Sequence, residues 1–274
     1  MSSTIAKIEP VDEASQYTFS NDFAEGSQLR LLADILDDHS TLVLSGTGIT
    51  PGWQCLDVGA GAGTITAWLA DRVGPDGHVT ALDKDPEHIS GGANITIRKG
   101  DVRTVDLPEG HYDLIHARLV MLHIAERELV LQRLIAALKP GGALVLSEWD
   151  GERRDWLLHT SSADAVDAFN AFQNGLLAEL EAHGADLSWA RRVPVAMFEA
   201  GLEDVATTVH SQLWTGGEPG CLLHLSNARQ LRDALLARGV TTKQLNALEE
   251  AMRDPATLAY CYWMFTSVGH RAAN

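Results

Sequence analysis

The sequence predicts an open α/β fold with a mostly parallel sheet, and three features of the chain support this prediction. Residues 55–63 read Cys-Leu-Asp-Val-Gly-Ala-Gly-Ala-Gly, a short apolar strand that ends in an acid and runs into alternating glycines. Residues 79–83 form a second apolar, β-branched run that also ends in an acid. Between them, residues 64–73 carry an amphipathic helical pattern. Strand, helix and strand in this order predict a βαβ unit.

The chain continues with the same alternation. Further apolar or β-branched strands are predicted over residues 94–98, 112–117 and 143–147. A helix is predicted over residues 126–138, before the last of these strands. Beyond residue 150 the pattern changes and helical periodicity predominates. The first half of the chain therefore predicts the sheet, and the second half predicts mainly helices added to it.

The glycines between the first strand and its helix are the most informative residues. Gly59, Gly61 and Gly63 allow a tight turn and leave no Cβ between the backbone and a ligand. The helix that follows directs free N–H groups toward the same place. We expect Thr64 or Thr66 to cap that helix. The loop therefore predicts a site where the backbone approaches a bound ligand.

Acidic residues stand where the next two strands end. Asp83 ends the second strand, and Asp101 follows the third. In open α/β sheets, ligands bind outside the carboxyl ends of the strands. Asp83 is therefore positioned to accept hydrogen bonds from both hydroxyls of a ribose, and Asp101 from the exocyclic amine of an adenine.

Four motifs in this order resemble the class I S-adenosylmethionine-dependent methyltransferases. They are the glycine loop that begins at Asp57, the acid Asp83, the triplet that contains Asp101, and Lys139-Pro140-Gly141-Gly142 before the fifth strand. The resemblance covers roughly residues 50–150. Residues 113–123, Asp-Leu-Ile-His-Ala-Arg-Leu-Val-Met-Leu-His, are similar to the ubiquinone/menaquinone-type branch and to methyltransferases of bacterial secondary metabolism.

The resemblance implies a Rossmann-like, seven-stranded methyltransferase sheet, mostly parallel with its last strand antiparallel, together with N-terminal helices and a helical lid. Within it, residues 205–214 are assigned to strand six and residues 258–268 to strand seven. Two helices are expected over residues 226–253. The chain is then a single domain over residues 1–274, with an N-terminal helical cap (1–50), a cofactor-binding core (51–150) and a region of lid insertions plus strands six and seven (151–274).

The resemblance also implies the cofactor, S-adenosylmethionine, and the residues that hold it. Asp57 is expected to orient the glycine loop or to reach the methionine amine. Arg118 is expected to pair with the methionine carboxylate or a substrate anion, or else with Asp113 or a neighbour. Tyr17 is expected at the methionine end, or else as a packing aromatic. The implied cofactor-binding residues are Tyr17, Asp57, Gly59, Ala60, Gly61, Asp83, Lys84, Asp101, Val102, His116, Ala117 and Arg118.

Methyl transfer is an in-line displacement at an activated carbon, so the protein mainly aligns the acceptor and excludes water. Where the acceptor must lose a proton, a base is also needed. His116 and His123 are the predicted catalytic residues, with His159 on the lid as a third choice. The alternatives are that His116 holds the methionine moiety and that His123 packs. Three roles are open for Glu148 and Asp150: a base, magnesium ligands or a solvated strand end. Of these, we do not favour the magnesium site, and we predict no metal.

Composition narrows the class of partner. The 21 basic and 37 acidic residues give a net charge of −16, which repels nucleic acid and anionic lipid. Three cysteines without metal-ligand spacing, and no signal peptide, suit a reducing cytoplasm. No run approaches the roughly 20 apolar residues of a membrane span. We expect a cytoplasmic monomer or homodimer that binds a small-molecule methyl acceptor and neither nucleic acid nor membrane.

The predicted function is methylation of a small apolar or aromatic metabolite, with oxygen as the first acceptor and secondary metabolism as the context. Two alternatives stay open. A protein of this fold can bind S-adenosylmethionine and serve as a lyase, a cyclase or a regulator. An NAD-dependent oxidoreductase is the other, although the G-x-G-x-x-G fingerprint requires glycine where Thr64 stands.

Overall fold

The computed structural model describes residues 23–153 and 156–273. Short 3-10 helices cover Pro86–His88 and Met121–His123. The other elements, in chain order, are α1 (Phe23–Gly46), β1 (Gln54–Val58), α2 (Thr64–Val73), β2 (His78–Asp83), β3 (Ile95–Lys99), β4 (Tyr112–Arg118), α3 (Arg127–Ala137), β5 (Leu138–Trp149), β6 (Leu157–His159), α4 (Ala163–Ala182), α5 (Trp189–Glu199), β7 (Leu202–His210), β8 (Leu213–Thr215), α6 (Pro219–Gln230), α7 (Arg232–Ala237), α8 (Thr242–Arg253), β9 (Leu258–Tyr260) and β10 (Met264–Arg271).

The main sheet has seven strands in the order β3-β2-β1-β4-β5-β10-β7. Strands β1 to β5 are parallel, and β10 is antiparallel to both of its neighbours, β5 and β7. This confirms the predicted mostly parallel sheet with an antiparallel last strand. The chain order reverses beside β1, with β2 on one side and β4 on the other. Ligands of open α/β sheets bind at such a reversal, next to the carboxyl ends of the strands.

Both faces of the sheet are covered by helices through buried apolar side chains. On one face, Leu44 of α1 and Leu69 of α2 pack on strand residues such as Leu114. On the other face, α3 and α5 contribute Leu134 and Trp189. Strands that are buried on both faces read as continuous apolar runs, which explains the clear strand signal in residues 112–117 and 143–147.

A third apolar cluster forms the helical lid, which consists of α4, α6, α7, α8 and a small sheet in the order β6-β9-β8. Its centre holds fully buried aromatic side chains, including Trp156, Phe169 and Phe172. Ile35 and Leu36 of α1 belong to the same cluster. The expected helical lid and N-terminal helix are therefore present and packed against each other.

The predicted bounds of the last two strands are wrong, because each predicted strand is divided between two sheets. Residues 205–214 are shared by β7 in the main sheet and β8 in the small sheet, and residues 258–268 by β10 and β9. Apolar residues are buried on the small-sheet side of each break as well, since Trp214 of β8 and Ala259 of β9 are both buried. Hydrophobic alternation alone therefore did not reveal the change of sheet.

Two details of the helices also differ from the predictions. The N-cap of α2 is Gly63, and its φ of 74° is left-handed; neither Thr64 nor Thr66 caps the helix, because the Thr66 hydroxyl bonds to Asp57 instead. Residues 226–253 contain parts of three helices, α6, α7 and α8, where two were expected. A capping box between Thr241 and Gln244 begins α8. In the part of the chain that the structure describes, no helix has an apolar stretch long enough to span a bilayer.

Candidate active site

A cavity of about 570 Å³ lies between the carboxyl ends of β1 to β5 and the lid. Small-molecule sites usually have volumes of about 300 to 1,000 Å³. Of the residues predicted for the site, those that line the cavity are Gly59, Ala60, Gly61, Asp83, Lys84, Asp101, Val102, Arg118 and His123. Tyr17 lies outside the described residues.

The glycine loop has the left-handed backbone that its sequence predicts. The φ angles of Gly59, Gly61 and Gly63 are 65°, 55° and 74°. A Cβ on Gly59 would lie 2.3 Å from Cγ2 of Val120, so the loop backbone packs directly against the segment after β4. Only glycine combines this conformation with this close approach.

Asp83 supports the loop from the cavity side. Its Oδ2 accepts from the backbone N–H of Gly61 at 2.8 Å, and its Oδ1 accepts from that of Asp85 at 2.9 Å. Burial raises the pKa of Asp83, while these two backbone hydrogen bonds act to lower it. The carboxylate therefore fixes the loop and also forms part of the cavity wall.

Asp101 is held by two cations. Oδ2 accepts from Nε and Nη2 of Arg103 at 2.9 and 2.6 Å and lies 3.0 Å from Nζ of Lys84, while Oδ1 accepts from the Arg103 backbone N–H. Burial alone would raise the pKa of Asp101, but the hydrogen bonds from Arg103 and the nearby Lys84 lower it to about 2. Asp101 is thus an ionised, fixed acceptor in the wall. The sequence reasoning missed Arg103, although its place two residues after Asp101 was a usable signal.

Asp57, His116 and Ala117 lie behind the cavity wall and do not line it. Asp57 and His116 are each 2% exposed, and Ala117 is fully buried. The two oxygens of Asp57 accept from Thr66 Oγ1 at 2.6 Å and from His116 Nδ1 at 2.8 Å. Of the two roles expected for Asp57, the geometry favours orientation of the loop. It does not support His116 as the base, because the buried ring does not line the cavity.

Arg118 lines the cavity and also contacts α1. Its Nη1 donates to Asp37 Oδ1 and to Ser40 Oγ, both at 2.9 Å. The alternative partner predicted from the sequence, Asp113, instead accepts from Lys139 Nζ at 2.7 Å. Arg118 is therefore a positioned, charge-paired cation at the edge of the site.

His123 is the predicted catalytic histidine that reaches the cavity. Burial, with smaller contributions from the Arg127 and Lys84 cations, lowers the pKa of His123 to about 4. Its imidazole is therefore neutral at pH 7. His159, the third choice, lies exposed on β6.

The two acids at the end of β5 have different environments. Glu148 is fully buried and accepts from the backbone N–H of Met121 at 2.8 Å, which anchors the 3-10 helix that carries His123. Asp150 lines the cavity, and its Oδ2 accepts from Arg191 Nη2 at 2.6 Å. Neither is a solvated strand end. Among the residues that the structure describes, no group of three or more acidic, histidine or cysteine side chains is arranged to hold a metal ion.

The lid side of the cavity is mainly apolar. Leucines from α1, α4 and α6 line it, together with Trp149 and Tyr262. The exception is a buried amide pair, in which Gln28 Nε2 of α1 donates to Asn227 Oδ1 of α6 at 2.6 Å. The sequence reasoning missed this pair, because its members are 199 residues apart and no local pattern marks either of them.

Comparison with known proteins points to one family. Residues 49–173 match the family described as "Methyltransferase domain". An uncharacterized 37.1 kDa protein of transposon Tn4556 from Streptomyces fradiae is 30% identical over 45% of this chain and 38% of its own length. The ubiquinone/menaquinone biosynthesis C-methyltransferase UbiE of Ectopseudomonas mendocina is 28% identical over 50% of this chain and 54% of its own. UbiE of Vibrio campbellii is 26% identical over 67% and 73%. The chain thus spans less than two-thirds of the length of the first two relatives.

Solved structures show the same fold. Phosphoethanolamine N-methyltransferase 2 of Haemonchus contortus, in complex with S-adenosylhomocysteine, superposes with a TM-score of 0.55 at 13% identity over 90% of this chain and 57% of that one. The methyltransferase bound to the activator Trm112 of Haloferax volcanii superposes with a TM-score of 0.55 at 14% identity over 92% and 99%. Residues 49–173 thus resemble a methyltransferase domain in sequence, and the chain shares the fold of these two solved structures.

Proposed function

We propose that this chain transfers a methyl group from S-adenosylmethionine to a small, uncharged, apolar or aromatic acceptor. One observation carries the proposal: a single cavity is bordered by the glycine loop on one side and by the leucines of the lid on the other. A polar nucleoside and an apolar acceptor can then occupy adjoining halves of the same space.

The glycine-loop half fits the family's cofactor. A ligand can approach the backbone of Gly59, Ala60 and Gly61 closely, because the two glycines have no Cβ, and one there would crowd the residues of the cavity wall. Asp83 provides carboxylate oxygens in that wall, which suit ribose hydroxyls. The ionised Asp101 suits an adenine amine.

The remaining predicted contacts complete this half of the proposal. Val102 and Lys84 also line the cavity, and we propose that they flank the adenine. Arg118 is the cation that we propose for the methionine carboxylate, held in place by Asp37. Tyr17 keeps its predicted place at the methionine end.

When bound, the cofactor supplies a methyl group on a sulfonium-activated carbon. The protein's own contribution is alignment and exclusion of water. Leu176 and Leu223 of the lid cover the acceptor half with apolar surface, and the Gln28–Asn227 amide pair adds one neutral polar contact there. These groups favour an acceptor whose polar part is a neutral oxygen.

The charges around the cavity argue against an anionic acceptor. Among the described residues of the wall, Lys84 and Arg103 pair with Asp101, and Arg118 pairs with Asp37. We assign Arg118 to the methionine carboxylate, and Lys84 and Arg103 already serve Asp101, so a phosphate or carboxylate on the acceptor would compete for these cations. An anion left without one of them would be buried unpaired, which is costly. The paired cations therefore favour a neutral substrate.

We propose His123 as the group that receives the acceptor's proton. It lies in the cavity wall and is neutral at pH 7, so it can accept a proton or a hydrogen bond. A pKa of about 4 makes it a weak base, which suits a contribution at the low end of general-base catalysis.

Oxygen is the acceptor atom that we propose first, and carbon is the alternative. The relatives described as UbiE are C-methyltransferases, which supports carbon. A neutral hydroxyl fits the amide pair and His123, which supports oxygen. The context in secondary metabolism is part of the same proposal.

The proposal is tested with S-adenosylmethionine labelled on its methyl group and a panel of acceptors. The panel pairs each neutral phenol or quinol with its phosphorylated or carboxylated analogue, and mass spectrometry locates the added methyl. We expect transfer to neutral members. Transfer only to anionic members would contradict the acceptor class, and binding of S-adenosylhomocysteine without transfer to any member would favour the non-methyltransferase alternative.

A further inference from the structure

Asp57 connects three elements behind the glycine loop. Its Oδ2 accepts from Oγ1 of Thr66 at 2.6 Å, and its Oδ1 accepts from Nδ1 of His116 at 2.8 Å. Asp57 lies on β1 just before the loop, and Thr66 lies in the first turn of α2 just after it. His116 lies on β4, where it is the residue paired with Asp57 in the sheet. One carboxylate therefore ties the start of the loop, its end and the neighbouring strand together.

The His116 ring has a defined hydrogen-bonding state. It is 2% exposed, and within the described residues its Nε2 has no hydrogen-bond partner. Its nearest strand neighbours on the other side include Val145, which packs in the same apolar cluster as Leu114. Because a carboxylate oxygen can only accept, Nδ1 carries the hydrogen and donates to Asp57.

We propose that His116 is a positioning residue: its Nδ1–H holds the Asp57 carboxylate, and through it the glycine loop, in the conformation that binds S-adenosylmethionine. This inference rests on the proposed function, because it concerns affinity for that cofactor. It assigns His116 a role without contact to the cofactor or the acceptor.

The physical reason is the number of donors that a buried carboxylate needs. Asp57 is 2% exposed, and each of its oxygens has one side-chain donor. Removal of one donor leaves a buried oxygen unsatisfied, so the carboxylate gains by turning toward another partner. Because Thr66 is bound to the same carboxylate, such a movement displaces the first turn of α2 and the loop in front of it.

The test uses calorimetric titration with S-adenosylhomocysteine on three full-length variants, with their melting temperatures measured in parallel. His116→Leu removes the donor and puts an apolar side chain in its place. His116→Asn keeps a donor, because its amide nitrogen is carried by Cγ, as Nδ1 is in histidine. Ser147→Ala is the matched control: Ser147 is another buried polar residue on the adjacent strand, and it bonds to Thr266 rather than to the loop.

We expect His116→Leu to raise the dissociation constant about tenfold or more, since a hydrogen bond to a charged group is lost. His116→Asn should stay within about threefold of the wild type, and Ser147→Ala should bind normally even where it melts earlier. An unchanged dissociation constant in His116→Leu, with only a lower melting temperature, would show that His116 merely packs. Equal weakening by Leu and Asn would show that the donor is not what matters.

Coupling to Asp57 gives a second, independent result. In an Asp57→Ala background, His116→Leu should have little further effect on the dissociation constant, because the acceptor through which it acts is gone. Additive losses would overturn the proposal. If His116→Leu does not fold, Thr66→Val replaces it, and it should weaken binding several-fold while Thr66→Ser does not; normal binding by Thr66→Val would contradict the proposal.

The wild-type titration separates this inference from the proposed function. If the wild-type protein does not bind S-adenosylhomocysteine, the proposed function fails. If it binds and the His116 variants bind equally well, only the positioning role fails.

Discussion

At the scale of single residues, three carboxylates at the strand ends differ in what they can offer a ligand. Both oxygens of Asp57 accept hydrogen bonds from protein side chains, those of Thr66 and His116. Asp101 is neutralised by Arg103 and Lys84. Asp83 bonds to two backbone N–H groups and has no ion pair among the described residues, so it keeps more acceptor capacity toward the cavity. Removal of Asp83 should therefore affect cofactor binding most directly.

We expect Asp83→Ala to weaken S-adenosylhomocysteine binding about tenfold or more. The variant loses the acceptor for the ribose and the bond to Gly61, and hydrogen bonds to a charged group contribute about 1.5–3 kcal/mol each. Calorimetric titration measures the dissociation constant. Asp71→Ala, an exposed acid on α2, is the matched control and should bind normally. Normal binding by Asp83→Ala would refute the ribose assignment.

Glu148 should make the protein less stable as the pH rises. Burial raises the pKa of Glu148 to about 8 in the folded protein, against an ordinary value of 4.5. Between these values the folded state holds a proton that the unfolded state releases, so the free energy of unfolding falls with increasing pH, by at most about 1.4 kcal/mol per unit. Glu148→Gln is neutral in both states and removes this contribution.

Urea unfolding at pH 6.0 and pH 7.5 measures the effect. We expect the wild type to lose stability across this interval relative to Glu148→Gln. Groups other than Glu148 contribute equally to both proteins, so they cancel in the comparison. An equal change in both proteins would show that Glu148 is ionised in the folded state throughout.

His123 gives a prediction for the pH dependence of turnover. A base with a pKa of about 4 stays neutral down to mildly acidic pH, so kcat of the wild type should show no loss between pH 7 and pH 5.5. His123→Gln should lower kcat about a hundredfold at saturating cofactor and acceptor. His88→Gln, an exposed histidine, is the control. Full turnover by His123→Gln would exclude it as the proton acceptor.

At the scale of elements, the turn from β1 to α2 is the most constrained part of the site. Gly59→Ala places a Cβ 2.3 Å from Val120 Cγ2 at a φ of 65°, so it should cost about 1–3 kcal/mol and reduce cofactor affinity. Melting temperature and titration with S-adenosylhomocysteine measure both effects. Gly46→Ala at the end of α1 adds a Cβ in open space and should change neither. Wild-type affinity in Gly59→Ala would show that the loop does not contact the cofactor.

The sequence predicts this turn well because its signal is local. Gly59 directly follows β1 and Asp83 ends β2, and a strand's end fixes where its next residues lie. The signal fails where position depends on distant partners. Gln28 and Asn227 meet only through the packing of α1 on α6. His116 belongs to a correctly predicted strand, yet its register with Asp57 turns its ring behind the cavity.

The strand bounds fail for a related reason. Residues 202–215 and 258–271 each supply strands to both sheets. An alternating apolar pattern marks which side chains are buried, but it does not mark which sheet buries them. The breaks depend on contacts between the two segments, such as the bond from the Cys261 N–H to the Gln212 carbonyl at 2.8 Å.

At the scale of the whole molecule, α1 joins the lid to the sheet. Ile35 and Leu36 pack in the lid cluster, and Leu44 packs in the cluster between the sheet and α2. His39 Nε2, between them, lies 3.0 Å from Thr266 Oγ1 on β10. One helix that is buried in both clusters should couple their unfolding. We therefore predict that the single domain expected over residues 1–274 unfolds in one cooperative transition.

Calorimetry with ligands tests this prediction together with the cofactor assignment. A ligand at about a hundred times its dissociation constant adds about 2.7 kcal/mol to the free energy of unfolding. For a chain of this size, that should raise the melting temperature by roughly 5–10 °C. Because the cavity is bordered by the sheet, α1 and the lid, S-adenosylhomocysteine should move one transition as a whole, and NAD should move nothing. Two transitions, of which S-adenosylhomocysteine moves only one, would divide the chain into separate folding units, whereas a shift with NAD alone would return the assignment to a dehydrogenase.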